Sequence, residues 1–172
     1  MRKYIWLLAF FSVFASCSTE ETTVKDLTVT QVSNTPCKGS WDVKMTRSAD
    51  DSDDKTTIGF GALIKQTVKC ALENVAGNCD LDKIYVGGAL QDGTILIYVY
   101  KTKETMADCY CDYDVSFDLN NVEAGRYPIE VHRAGSLQKV NANNLVYAGS
   151  ITLSKNTTTQ RIDIPKITLY NE

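Results

Sequence analysis

Cysteines, a single histidine, an aspartate run and one basic residue between two hydroxyls are the groups here that could do chemistry. The body of the chain holds Cys37, Cys70, Cys79, Cys109 and Cys111. Structural zinc wants four nitrogen or sulfur ligands, usually in paired C-x-x-C or histidine spacing. These cysteines do not offer that spacing, so the expectation is disulfides, with no metal and no cofactor. His132 is the only histidine. A Ser-His-Asp triad would need it beside a nucleophilic serine, but no G-x-S-x-G elbow surrounds any serine, and Gly135-Ser136 reads as a turn. His132 is therefore expected to be a surface residue. The run Asp50-Asp51-Ser52-Asp53-Asp54 is rich in carboxylates, but acid catalysis needs a pocket that shifts one pKa. As a calcium loop the run lacks the glycine and the closing glutamate of an EF-hand. Gly59-x-Gly61 and Gly87-Gly88 are too sparse for a phosphate loop. No catalytic constellation emerges, and a non-enzymatic role is expected.

The elements that would position these groups read as short strands. In residues 109–119, Cys109, Cys111, Tyr113, Val115, Phe117 and Leu119 alternate with Tyr110, Asp112, Asp114, Ser116 and Asp118. Period-2 alternation over that length is a half-buried antiparallel strand. Asn120-Asn121 and Glu123-Ala124-Gly125 turn the chain into Tyr127–Val131, whose odd positions are again apolar. Further strands are expected at Leu27–Val32, Ser40–Thr46, Lys83–Gly88, Thr94–Lys101, Leu145–Leu153, Gln160–Ile164 and Lys166–Tyr170. Thr94–Lys101 is apolar on both faces, which suits a central strand, and Asp92-Gly93 before it signals a hairpin. Residues 60–75 fit a short helix or a strand. Short strands at regular spacing indicate an all-β, antiparallel β-sandwich. Tyr127, behind a Leu-bearing strand and a glycine turn, resembles the tyrosine corner of immunoglobulin-like sandwiches. The plainer alternative is a core tyrosine.

The N-terminus carries a different signal. Arg2 and Lys3 precede the apolar stretch from Ile5 to Val13, which has the length of a signal h-region and is too short to cross a bilayer core of ~30 Å. Val13-Phe14-Ala15-Ser16-Cys17 resembles a lipobox, with Phe14 bulkier than the usual residue. The resemblance implies that residues 1–16 are removed and that Cys17 becomes a lipid-bearing first residue. The alternative is an ordinary secretory peptide cut near Ala15. Glu20-Glu21 just after Cys17 resembles the export signal of Bacteroidota surface lipoproteins, implying an outer-membrane, cell-surface location. The expected organisation is then a signal at 1–16, a lipidated acidic tether at 17–26 and one sandwich domain at 27–172.

Composition agrees with a single exported β domain. Without Arg2 and Lys3, 16 basic and 21 acidic side chains remain, a net charge of −5. Such a chain has no electrostatic footprint for nucleic acid, and membrane contact is expected only through the acyl chains. Nine tyrosines against three prolines favour strands. An oxidising compartment makes disulfides the default. Cys109 and Cys111 share one face with Cα atoms ~6.7 Å apart and parallel Cβ vectors, so each should look elsewhere for its partner. Five thiols allow fifteen arrangements with one left over. The favoured one pairs Cys70 and Cys79 with the Cys-x-Cys pair and leaves Cys37 odd.

The segment Cys109-Tyr-Cys-Asp-Tyr-Asp-Val-Ser-Phe-Asp-Leu119, followed by Gly125-x-Tyr127, is similar to a motif of small Bacteroidota lipoproteins. That resemblance implies class and location without an activity. Function is therefore expected to be binding. Thr46-Arg47-Ser48 resembles the exposed segment of standard-mechanism trypsin inhibitors, implying Arg47 as the specificity residue, flanked by Thr46 and Ser48. The partner would be an extracellular or self serine protease. Peptidase-inhibiting potempins are surface lipoproteins of this size, although here no cysteine adjoins the loop in sequence. The basic loops around Lys69-Cys70 and Arg133-Ala134 are fallbacks. Glycan binding through Trp41 or Tyr110, and a structural role through strand edges, are the other readings.

Overall fold

The computed structural model describes residues 26–42, 55–103, 107–134, 144–156 and 158–169. Among them the strand pattern produces eleven strands in two packed sheets. They are β1 (Thr28–Asn34), β2 (Ser40–Asp42), β3 (Lys55–Ile64), β4 (Thr67–Asn78), β5 (Tyr85–Gln91) and β6 (Thr94–Tyr100). Then follow β7 (Cys109–Asn120), β8 (Gly125–Arg133), β9 (Leu145–Leu153), β10 (Gln160–Pro165) and β11 (Thr168–Leu169).

The alternating strand β7 is the axis of the larger sheet, ordered β1-β7-β4-β3-β10. Its odd residues Cys111 to Leu119 are buried, because they face the second sheet. β1 and then β2 run along one edge of β7, and the chain between them stays attached. Thr35 N–H donates to the Asp114 carbonyl (2.9 Å), and Lys38 N–H donates to the Asp112 carbonyl (3.0 Å). β4 occupies the other edge. The ambiguous segment 60–75 is a hairpin of β3 and β4, closed by Lys65-Gln66 with φ of 50° and 66°. Those left-handed conformations match the twist of a two-residue hairpin, but neither residue is the usual Asn or Gly. That is why the sequence did not signal the turn.

The smaller sheet is ordered β5-β6-β8-β9. The β5–β6 hairpin turns at Asp92-Gly93 (φ 49° and 78°), as the dipeptide predicts. After β6 the chain crosses to the larger sheet as β7 and returns as β8, parallel to β6. β11 is a two-residue parallel contact with β4. The sandwich is therefore antiparallel except at these two places. Tyr127 hydroxyl donates to the Glu123 carbonyl (3.3 Å), bracing the crossover as a tyrosine corner does. The sheets approach closely at Gly88, where an added Cβ would lie 2.8 Å from Val29 Cγ2. The glycine there serves packing.

The two ends of the sandwich differ. At one end Asn120 pairs with both Thr28 and Thr67, and Asn121 Nδ2 donates to the Asp26 carbonyl (2.9 Å). Gln66 accepts from Val122 N–H (3.1 Å), and Leu63 N–H donates to Ser154 (3.0 Å). The entry of the chain shares this end with the β3–β4, β5–β6 and β7–β8 turns and the end of β9. At the other end, Tyr110 pairs with Asn78 and with Trp41, Cys109 pairs with Asp42, and Arg133 donates to Thr168. The flanks of the longer connections 43–54, 101–108 and 134–144 all lie there.

Candidate functional site: the disulfide-braced loop end

Two disulfides tie this loop-bearing end together. Cys37 is bonded to Cys111 (Cα–Cα 5.4 Å), and Cys79 to Cys109 (Cα–Cα 5.6 Å). As expected, each member of the Cys-x-Cys pair reaches a different partner, and Cys79 is one of them. The expected role of Cys70 is corrected: it is the free thiol, and Cys37 is bridged. Cys70 lies in mid-β4 facing the core, in register with Phe60 and Phe117. Cys111 pairs with Gly77, seven residues further along, so Cys70 is about 20 Å away from it at strand spacing. Burial, then the Asp118 charge, pushes the Cys70 thiol well up. Sequence cannot see this, because the strand that places Cys70 is an ambiguous segment.

The bridges adjoin one another. The sulfurs of Cys37, Cys79 and Cys111 lie within 4.8 Å, but while bonded they are not thiolates and cannot serve as metal ligands. Around them the loop bases are pinned by polar contacts. Lys38 Nζ donates to Asp114 Oδ1 (2.7 Å) and to Asn74 Oδ1 (3.0 Å). Asn74 occupies a bulge in β4 with φ 63°. Lys166 and Asp112 form a largely buried ion pair at 2.7 Å, holding the β10–β11 link against β7. Asn78 Nδ2 donates to the Ala107 carbonyl (2.8 Å), and Ala107 N–H to Asp80 (3.2 Å). From the core side the Tyr113 hydroxyl donates to the Asn78 carbonyl (2.7 Å). Burial and then Asp80 raise the Tyr113 pKa.

Cys17, Thr46, Arg47, Ser48, the Asp50–Asp54 run and Ser136 lie outside the described residues. The flanks of the Arg47 segment are described. Asp42 pairs with Cys109, so one flank begins beside the Cys79–Cys109 bridge. Lys55 begins β3, separated from β2 by β7 and β4. Three strand spacings, about 14 Å, therefore separate the flanks laterally.

His132 is not the surface residue expected; it is only 3% exposed. It sits on the outer face of the smaller sheet, where Tyr98 is its register partner (ring centroids 6.1 Å), and its Nε2 meets Glu130 Oε2 at 2.9 Å. Burial and then Glu130 raise the Tyr98 pKa. Beside them Tyr85 stacks on Tyr100 (5.5 Å), with Lys83 Nζ 4.8 Å from the Tyr85 ring. This tyrosine face was missed because Thr94–Lys101 reads as apolar on both sides. The signal was Tyr98-x-Tyr100, whose phenols are amphipathic rather than apolar. Compared with known protein families, with characterised proteins and with solved structures, the chain matches none.

Proposed function

We propose that this chain is a lipid-anchored binding module of the outer cell surface, tethered through Cys17 and recognising its partner with the disulfide-braced loop end. The observation that carries the reading is the polarity of the sandwich. The chain enters at one end, while the flanks of connections 43–54, 101–108 and 134–144 gather at the other around two disulfides. Rigid scaffolds carry recognition on such loops, because a braced base lowers the ordering cost of binding.

A specific observation favours inhibition of a trypsin-like protease as the second reading. The strand leading toward Thr46-Arg47-Ser48 ends at Asp42, whose register partner Cys109 is cross-linked to Cys79, so a disulfide lies at the near flank of the segment. In this reading Arg47 enters the acidic specificity pocket, and Thr46 and Ser48 hold the backbone on either side. Titration of trypsin with the purified mature protein tests it. Stoichiometric inhibition lost in Arg47→Ala supports the inhibitor. Inert protein, or rapid cleavage within residues 46–55, removes it. A glycan array separates the remaining alternative, for which the Tyr85–Tyr100 stack is a better platform than Trp41 or Tyr110.

A further inference from the structure

The end opposite the disulfides carries an unexplained apolar feature. A hollow of about 600 Å³ lies between the β3–β4 turn, the β7–β8 turn and Lys155, with Leu63, Ile64 and Val122 among its walls. Ile64 is 65% exposed, the most exposed large hydrophobic side chain among the described residues. It pairs with Thr67 at the tip of the hairpin, next to Lys65. We propose that this end rests on the lipid surface that holds the Cys17 anchor, with Ile64 entering the headgroup layer and Lys65 and Lys155 on lipid phosphates. The proposal rests on the lipid-anchored reading above.

The argument for a bilayer as occupant is where the chain leaves the fold. Asp26 is held at this same end through its carbonyl and Asn121 Nδ2. Residues 17–25 lead from it to Cys17 and, fully extended, reach no further than about 30 Å. The acyl chains therefore hold this end within about 30 Å of the headgroups, while the loop end lies further from the anchor by the length of the sandwich. A contact made by a tethered surface is intramolecular in effect, so a weak one suffices. One exposed isoleucine with two flanking ammonium groups is that kind of contact. Apolar side chains and long basic ones suit the interface, where the lysine stems lie along apolar surface and their charges meet phosphate. Glu123, Asp26 and Asp92 are among the opposing charges at this end. The hollow is largely apolar, so the lysines orient the contact and Ile64 seats it. The consequence is a fixed orientation, with the disulfide-braced loops turned away from the membrane.

The test uses the full mature protein, acylated in cells and reconstituted in phosphatidylethanolamine–phosphatidylglycerol vesicles with brominated acyl chains. Ile64→Trp reports on the proposed contact, and Leu145→Trp, at the start of β9 near His132, reports on the opposite end. Trp41 is the parent's only tryptophan once residues 1–16 are gone, and it sets the background. Mass and flotation report the anchor separately from the orientation. The expected result is an acylated protein that floats with the vesicles. The emission added by Ile64→Trp is then blue-shifted and quenched by bromine, while that added by Leu145→Trp is neither. Acylated, floating protein with no bromine quenching at Ile64→Trp overturns the membrane contact and leaves the anchor standing. Blue-shifted emission without bromine quenching overturns it in favour of a protein covering the hollow. A chain recovered without acyl groups overturns both.

Discussion

Replacing Cys37 and Cys111 together by alanine opens the larger of the two covalent loops, which spans 74 residues. In the chain-entropy treatment the cost of losing a cross-link grows with the logarithm of the loop it closes. That gives about 4.4 kcal/mol for this bridge and about 3.6 kcal/mol for the 30-residue loop of Cys79–Cys109. Cys111 is fully buried, so its lost sulfur adds to the first figure. For a domain of this size the larger loss lowers the melting temperature by roughly 9–18 °C. The assay is urea unfolding without reductant, followed by circular dichroism. The midpoint should fall and the m-value should rise, because the unfolded chain is less compact without its cross-link. The smaller loop lies within the larger, so each bridge shortens the loop the other closes, and removing all four cysteines should cost more than the two losses measured singly and added together. Two results would refute the reasoning: a Cys37→Ala/Cys111→Ala variant hurt less than Cys79→Ala/Cys109→Ala, or a non-reducing peptide map with Cys70 in a bridge.

Two further predictions use groups in the core. Cys70 should resist iodoacetamide in the folded protein at neutral pH and take up one equivalent in denaturant with both disulfides intact, because burial keeps its thiol protonated; labelling of the native state would contradict this. Tyr113 has its pKa raised by burial and Asp80, so the folded state prefers the neutral phenol while the unfolded chain ionises near the ordinary value of about 10. Its contribution is therefore intact below that pH and lost as the pH rises through the raised folded value. Tyr113→Phe should cost about 1 kcal/mol at neutral pH, through the lost bond to the Asn78 carbonyl, and make the alkaline loss of stability shallower. The limb that remains includes Tyr98, which is raised for similar reasons. An alkaline limb unchanged by Tyr113→Phe would show that this phenol does not titrate with unfolding.

Much of the fold was legible because strands report themselves through period-2 burial. Cys111–Asn120 alternates without a fault, and Leu145–Leu153 has the predicted bounds. Asp92-Gly93 announced its turn, whereas Lys65-Gln66 makes the same kind of turn with residues that carry no such signal. The sandwich was readable too, since strands such as Cys109–Asn120 show one apolar face that only a second sheet can cover. What failed were relations between distant segments. Cys70 and Cys37 exchanged roles because pairing depends on which strand lies beside β7 at a given height. His132 was misread because its burial comes from tertiary neighbours, including Tyr98 in the parallel strand β6, a pairing that no local pattern encodes.

The candidate site divides the same way. Sequence alone determined the even alternation of β7 and the requirement that Cys109 and Cys111 find separate partners. Each of these is local, set by neighbouring residue types or by the geometry of one extended chain. Tertiary structure alone decided that the chain enters at one end and that the disulfides and the flanks of the long connections gather at the other. That separation follows from the order in which strands cross between sheets, and crossing order is fixed by packing over the whole core rather than by any one segment.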